Sequence, residues 1–338
     1  MRFLLFVTKP YSMAVLQPVE QAIRTVGGTV RWYLAGAAKD HEPPGEVLHS
    51  SAEVQAFDPG AILVPGNVVP HRWGGLKVQI FHGLGEEKPG HYRVTGFFDL
   101  YCTPGPDMTD RFEELARQHG HFLVRETGWP KLDPLAAPIE RKAVRAKLGL
   151  EPDRPVVLYA PTFSPRFTSA PDLLETIVGL KERYQWLIKF HDLMDPAVKA
   201  KYEAQLGLRV VGSDQPDILP LMQASDLLIT DTSSVANEYL LLDRPIITFR
   251  AAVRRDKGID ITAAEDLPAA IEQSLREPDE FAARRQQYLS RLHPYTDGKS
   301  AQRVVAAVTD ILATDAHLKL RRKPRNLWRK FQQRNLVE

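Results

Sequence analysis

The chain of 338 residues has a single cysteine, Cys102, so no intramolecular disulfide can form and a reducing compartment is expected. Cys102 follows the apolar run Gly96 to Tyr101 and reads as a packed core residue rather than a nucleophile. Apolar runs long enough to cross a bilayer are missing too. The start, M-R-F-L-L-F-V-T-K-P, has one positive charge and a short apolar stretch; that is too little for a signal peptide or a span and suits a first buried strand. There is no H-E-x-x-H, no paired Cys and no dense Asp cluster, so no metal site is expected. Neither G-x-x-x-x-G-K-[ST] nor G-x-G-x-x-G occurs, which excludes the two commonest glycine-rich phosphate loops. No short repeat or low-complexity tract is visible, and 43% hydrophobic with 25% charged residues is ordinary soluble composition.

What is present is a rhythm of short apolar strands and amphipathic helices. Strands are expected at residues 3–7, 29–34, 61–64, 77–81, 97–102 and 122–126, with helices at 15–26 and 111–119. Three prolines between Trp129 and Ile139 then break the pattern, and it restarts after a helix at 140–148 that Gly149 closes. Five more strands are expected at 156–159, 186–190, 209–211, 227–229 and 245–249, separated by helices at 172–183, 196–206, 218–224 and 235–242. A last helix spans 300–313. This alternation argues for an α/β fold of two Rossmann-like lobes joined by a proline-rich hinge and facing across a cleft, with ligands at the carboxyl ends of the strands.

The organising stretch is Ala224 to Phe249, A-S-D-L-L-I-T-D-T-S-S-V-A-N-E-Y-L-L-L-D-R-P-I-I-T-F. A buried strand here runs into a hydroxyl-rich turn at a helix start, where Asp231, Thr232, Ser233 or Ser234 would cap the helix. Free N–H groups and the helix dipole make such a turn a candidate phosphate site. Glu238, one helical turn after Ser234, carries a carboxylate able to accept from a ribose diol. At V-V-L-Y-A-P-T-F the strand ends by presenting the Thr162 hydroxyl. Two histidines end strands in the two halves: His82, followed by Gly83 in Q-I-F-H-G-L-G, and His191 in L-I-K-F-H-D. A histidine so placed can act as a base near neutral pH. Lys299, Ser300 and Arg303 in Y-T-D-G-K-S-A-Q-R open the last helix, where a second anionic group could be met.

Taken in order, V-L-Y-A-P-T-F, I-K-F-H-D, the organising stretch and Y-T-D-G-K-S-A-Q-R resemble the CDP-glycerol glycerophosphotransferases of teichoic acid and capsule synthesis. The F-H-G of the first half is similar to the histidine–glycine pair those enzymes carry. The resemblance implies a GT-B-type fold: an acceptor-binding lobe at 1–130, a nucleotide-donor lobe at 139–290, and a closing helix at 291–316 that returns to the first lobe. It makes His82 and His191 the catalytic pair, His82 as general base on the acceptor hydroxyl and His191 as a contact to the donor phosphates. Thr162, Thr232, Ser233 and Ser234 would bind the pyrophosphate and Glu238 the cytidine ribose, with Gly83, Asp231, Lys299, Ser300 and Arg303 in support. The chain departs from the family at Leu84-Gly85-Glu86-Glu87-Lys88, where the pattern usually continues with Thr-Pro and a Lys; acceptor recognition is left open there.

The expected activity is transfer of glycerol phosphate, or a related polyol phosphate, from a CDP-linked donor to a hydroxyl of a glycan or lipid-linked acceptor in cell-envelope polymer synthesis. No cofactor is expected to be required, and CDP-glycerol or a similar CDP-polyol is the expected donor substrate. Two other readings stand beside it: a sugar-nucleotide glycosyltransferase or 2-epimerase-like enzyme on the same architecture, and an inactive nucleotide-binding scaffold at the membrane. Epimerases of that kind prefer Ser-Gly-Gly where this chain has Thr232-Ser233-Ser234.

Charge adds a partner. The net charge is +2, yet residues 317–338 carry eight Lys or Arg and one Glu. After Pro324, Leu327, Trp328 and Phe331 fall on one helical face while Arg325, Arg329, Lys330 and Arg334 surround the other. Such a basic amphipathic tail is expected to lie on an anionic membrane surface, placing the protein in the cytoplasm as a peripheral protein on the inner face of the plasma membrane. No DNA- or RNA-binding module is present, so nucleic acid is not an expected partner.

Overall fold

The computed structural model describes residues 1–85, 89–137, 140–212 and 217–332. The chain divides into two compact units, one formed by Met1–Ala137 with Ser290–Glu338 and the other by Pro138–Leu289.

In the first unit the elements run β1 (Arg2–Val7), α1 (Met13–Thr25), β2 (Thr29–Leu34), α2 (Ser51–Phe57), β3 (Ala61–Val64), β4 (Leu76–Gln79), β5 (Leu100–Thr103), α3 (Pro106–His119) and β6 (Leu123–Glu126). The six strands form one parallel sheet in the order β2-β1-β3-β4-β5-β6. Strands β3, β4 and β5 are buried along their whole length, so they read as unbroken apolar runs rather than alternating ones. Pro106 starts α3, where its missing N–H costs nothing. Gly120 ends it at φ +71, donating to the Ala116 carbonyl at 2.8 Å. An aromatic cluster of Phe81, Phe98, Tyr101, Phe112 and Phe122 fills the space beneath. Cys102 lies in β5, fully buried, and burial pushes its thiol up to about 12, which fits a packing role.

The break expected at 129–139 is a packed 3₁₀ turn, Pro130–Leu135, with Trp129, Leu132 and Leu135 buried; Pro138 and Ile139 lie outside the described residues. The second unit runs α4 (Arg141–Lys147), β7 (Val156–Tyr159), α5 (Ala170–Gly179), β8 (Gln185–Ile188), α6 (Pro196–Glu203), β9 (Leu208–Val210), α7 (Leu219–Ala224), β10 (Leu227–Thr230), α8 (Val235–Tyr239), β11 (Ile246–Phe249), β12 (Ile259–Ile261), α9 (Leu267–Arg276) and α10 (Ala282–Leu292), whose residues from Ser290 on belong to the first unit. Its parallel sheet is ordered β12-β11-β10-β7-β8-β9. Sequence reading gave this sheet five strands; β12 is the sixth, a three-residue edge strand of which only Ile261 is buried. The helix expected over 235–242 is five residues of α-helix followed by a 3₁₀ turn, Leu240–Leu242.

The chain ends with α11 (Ser300–Ala313), which packs on α1, and α12 (Leu327–Gln332). Among the described residues no helix is long and apolar enough to cross a membrane. The two sheets give the α/β, doubly Rossmann-like GT-B class.

Candidate active site

Strand order locates the crevices. In the second sheet the chain leaves β7 for β8 and β9 on one side, then returns to β10, β11 and β12 on the other. Between β7 and β10 the connections part to opposite faces, and the gap at their carboxyl ends is where open α/β sheets bind ligands. The segments leaving these two ends are Ala160 to Phe163 and Asp231 to Ser234.

Hydrogen bonds stitch the two ends together. Thr230 Oγ1 donates to the Ala160 carbonyl at 2.7 Å, and the Ala160 N–H donates to the Ile229 carbonyl at 3.0 Å. Asp231, buried, accepts the Thr162 N–H on Oδ1 at 2.8 Å and the Ser169 N–H on Oδ2 at 2.9 Å. The Ser169 hydroxyl reaches the same Oδ2 at 3.0 Å. Of the four residues expected as the helix cap, Asp231 instead holds both ends of the 162–169 loop, and its partner Ser169 carries no local sequence signal. Burial pushes its carboxyl up to about 6, against the pull of these donors.

Thr232, Ser233 and Ser234 stay half-buried at the mouth. Thr232 Oγ1 accepts the Ala252 N–H at 3.2 Å, which fastens the loop after β11 to the turn, and Ser233 Oγ accepts the Val235 N–H at 3.5 Å. Ser234 is the N-cap residue of α8, without a side-chain capping bond. A five-residue helix sums few peptide dipoles, so hydroxyl and amide hydrogens, rather than a macrodipole, are what this turn offers an anion. Glu238 is only 6% exposed, on the face of α8 shared with Val235 and Tyr239.

His191 follows β8, the next strand beyond β7. Its Nδ1 accepts the Leu193 N–H at 3.1 Å, so the neutral ring carries its proton on Nε2 and is a donor there. The Phe163 ring lies against it, centroids 4.5 Å apart. Phe163 stands next to Thr162 and is set by the same Asp231 bonds.

In the first sheet the reversal falls between β1 and β3. His82, just beyond neighbouring β4, has Nδ1 3.4 Å from the Pro65 carbonyl oxygen at the end of β3. A carbonyl only accepts, so that contact puts the proton on Nδ1 and makes Nε2 the basic nitrogen. Tyr11, after β1, has its ring centroid 6.4 Å from His82, and the buried His91 ring stands edge-on at 5.0 Å. Phe81, immediately before His82, is a non-glycine residue at φ +67, a strained setting fixed by burial and by Trp129 Nε1 donating to its carbonyl at 3.2 Å. Asn67 accepts from Gln79 and donates to the Gly90 carbonyl at 3.2 Å, tying the His91 loop to the sheet end. Tyr11, Asn67 and His91 escaped sequence reading; the strand order is the signal that finds the first two. A Cβ at Gly83 would meet only His91 Cε1, at 3.8 Å, so close packing does not demand glycine there. Of the departure at 84–88, Glu86 to Lys88 lie outside the described residues.

The start of α11 is held by carboxylates of the chain itself. Its N–H groups already have an anion, Asp133, whose Oδ1 accepts the Ser300 N–H at 2.9 Å and whose Oδ2 accepts the Ala301 N–H at 2.8 Å. Arg303 is held by both oxygens of Asp297, at 2.9 and 2.5 Å, and lies over the Tyr295 ring at 4.3 Å. Ser300 is buried, and Lys299 alone of the three is exposed. The Ser300 N–H and the Arg303 guanidinium thus have acidic partners within the fold. Among the described residues no group of three or more His, Cys, Asp or Glu side chains is placed to hold a metal ion.

Comparison with known proteins gives a consistent picture. The profile of the family described as CDP-Glycerol:Poly(glycerophosphate) glycerophosphotransferase matches residues 86–310. The teichoic acid glycerol-phosphate primase of Bacillus spizizenii is 25% identical over 233 residues, 64% of this chain and 60% of that protein. The teichoic acid poly(glycerol phosphate) polymerase of Staphylococcus epidermidis is 29% identical over 196 residues, 53% of this chain and 27% of that protein. The chain thus spans less than two thirds of these relatives' lengths. Among solved structures, the wall teichoic acid polymerase TagF superposes with a TM-score of 0.70 over 93% of this chain and 90% of that one, at 19% identity. A complex of Staphylococcus aureus MnaA with UDP gives 0.64 over 92% and 97%, at 14% identity. Likeness at such identities is likeness of fold.

Proposed function

The chain belongs to the CDP-glycerol:poly(glycerophosphate) glycerophosphotransferase family, and from that premise we propose that it transfers glycerol phosphate, or a related polyol phosphate, from a CDP-linked donor to a hydroxyl of a glycan or lipid-linked acceptor in cell-envelope polymer synthesis. The observation that carries this reading is the Asp231 bridge, which ties the Thr162 loop to the Thr232–Ser234 turn at the reversal point of the second sheet. Residues 139–290 are the donor lobe in this reading and residues 1–130 the acceptor lobe.

The donor's pyrophosphate sits on the hydroxyls of Thr162, Thr232, Ser233 and Ser234, and Nε2–H of His191 donates to a phosphate oxygen. Glu238, buried on α8 one helical turn after Ser234, takes the cytidine ribose. Nε2 of His82 removes the proton of the acceptor hydroxyl. That oxygen forms a bond to the phosphorus bearing glycerol, and the bond from this phosphorus to the bridging oxygen breaks, so CMP leaves with the pair of electrons. Charge growing on that oxygen meets donors fixed before the reaction starts, and fixed donors need no reorganisation.

The tail, residues 317–338, brings the enzyme to an anionic membrane surface on the cytoplasmic side, where a lipid-linked acceptor is found. Supporting this are the eight basic residues and the 74% and 72% exposure of Leu327 and Trp328. Arg334, part of the expected amphipathic pattern, lies outside the described residues.

The test is a release assay on purified full-length chain with CDP-glycerol, CDP-ribitol and UDP-N-acetylglucosamine as alternative donors and a panel of lipid-linked sugars as acceptors. CMP release with a product heavier by one polyol phosphate supports the proposal. UDP release, or no turnover with any CDP donor, refutes it.

A further inference from the structure

The tail is not a frayed end. Its segment before α12 is clamped to the first unit through main-chain groups: the Arg321 N–H donates to the Gly120 carbonyl at 2.8 Å, Lys323 Nζ to Phe97 at 2.7 Å, and Asn326 Nδ2 to Thr95 at 2.7 Å. Arg329 Nη1 adds a bond to the Val94 carbonyl at 3.2 Å, and Lys323 pairs with Asp99 at 2.5 Å. Gly96, at φ +77, lets Pro324 and Asn326 come this close, since a Cβ there would collide with both. So fixed, the tail holds Leu327, Trp328 and Phe331 at 74%, 72% and 62% exposure, with the Trp328 and Phe331 rings stacked 6.4 Å apart. A clamped segment that leaves three large apolar side chains in water, ringed by Arg325, Arg329 and Lys330, is complementary to an anionic bilayer.

Between the clamp and the body lies a cavity of about 450 Å³, lined by Thr95, His119, His121, Asn326, Trp328 and Arg329 among others. His121 is 4% exposed, and its Nε2 has no hydrogen-bond partner among the described residues. The His119 ring stands 5.5 Å away. Burial first, then the charge of His119, hold the His121 pKa below its usual value, so at neutral pH the ring is uncharged and Nε2 can exchange one hydrogen bond with a hydroxyl. Arg329 uses one of its five N–H donors on Val94 and retains others for a phosphate.

We propose that this cavity is a headgroup site for a glycerophospholipid whose phosphate meets Arg329 and whose free hydroxyl meets His121, while Leu327, Trp328 and Phe331 enter the acyl region. The inference rests on the membrane reading of the tail and adds headgroup selectivity to it. Phosphatidylglycerol has both groups; phosphatidylserine matches its charge and lacks the diol.

The experiment is sedimentation of the full chain with phosphatidylcholine vesicles containing equal fractions of either phosphatidylglycerol or phosphatidylserine. Binding to the glycerol lipid is expected to be about fivefold tighter, the size of one hydrogen bond between neutral groups lost on the other. His121→Leu should erase the preference and leave phosphatidylserine binding as it was. Arg329→Gln, at a half-buried position that meets the phosphate common to both lipids, serves as a second variant should His121→Leu not fold: it should weaken binding to both by a similar factor and leave the preference in place, and unchanged binding to both overturns the phosphate contact. Equal binding to both lipids overturns the headgroup site and spares the membrane reading; binding to neither overturns both. Thermal stabilisation by soluble glycerol phosphate, without vesicle binding, overturns the lipid as occupant.

Discussion

Asp231 Oδ2 accepts both the backbone N–H and the hydroxyl of Ser169, at 2.9 and 3.0 Å, while its other oxygen accepts the Thr162 N–H. An amide in its place must turn an NH₂ toward one of these donors, so Asp231→Asn leaves a buried N–H unmet whichever way it flips. The expected loss is about 1–3 kcal/mol of stability, with weaker donor binding because the Thr162 loop is released. The same carboxyl gives a pH signature. Its folded value, about 6, lies above the ordinary 3.8, so the folded state binds more protons between the two. Its stabilising contribution is present below pH 3.8 and is lost as pH rises through 6, by about 3 kcal/mol in total. Denaturant unfolding of wild type and Asp231→Asn from acid to neutral pH checks this; a difference that stays flat across that window would refute it.

The two histidines hold opposite tautomers, and their variants should fail in different ways. His82→Ala removes a base and is expected to lower kcat by about 10²- to 10⁴-fold with donor affinity unchanged. His191→Ala removes a hydrogen bond to a phosphate and should raise the donor Kd at least about tenfold. Calorimetric titration with CDP-glycerol beside turnover rates separates them. Weakened donor binding in His82→Ala, or full affinity in His191→Ala, would contradict the roles assigned.

Most strands were legible in the sequence because both faces of each are buried, so a run such as Val156–Tyr159 is apolar throughout, and its shortness between turn residues marks it as a strand rather than a helix. The region after Phe249 was less legible. Ile259–Ile261 is too short for a period, and Ala282–Leu292 is mostly charged or polar along its length. The burial of Glu238 was legible, since it sits three residues after Val235 on the apolar side of its own short helix. The partners Ser169 and Asp133 were not legible. Each meets a residue far along the chain, and no local pattern encodes that meeting.

Asp133 offers a direct test of the α11 start. Asp133→Ala leaves the Ser300 and Ala301 N–H groups without their acceptor, and a lost cap of this kind costs about 1–2 kcal/mol. Breaking the partly exposed Arg303–Asp297 pair with Arg303→Gln should cost less, about 1 kcal/mol or under. Neither change is expected to move the donor Kd. Weaker CDP-glycerol binding in either variant at unchanged melting temperature would restore this helix start as a ligand site.

Gly96 decides whether the tail is clamped or merely adjacent. Its φ of +77 disfavours any side chain by about 1–2 kcal/mol, and an alanine methyl would also meet Pro324 Cγ at 2.6 Å. The sheet behind Gly96 is held by a buried core, whereas the tail is held by a few hydrogen bonds worth about 0.5–1.5 kcal/mol each, so the tail should yield first. Gly96→Ala is therefore expected to lower the melting temperature modestly while sharply speeding tryptic cleavage after Arg321 and Arg322. Gly90→Ala, where a Cβ meets nothing within 4 Å, is the control that should change neither. Equal cleavage in Gly96→Ala and wild type would mean that the segment from Arg321 to Arg329 is already loose, and that the bonds to Thr95, Phe97 and Gly120 do not hold it.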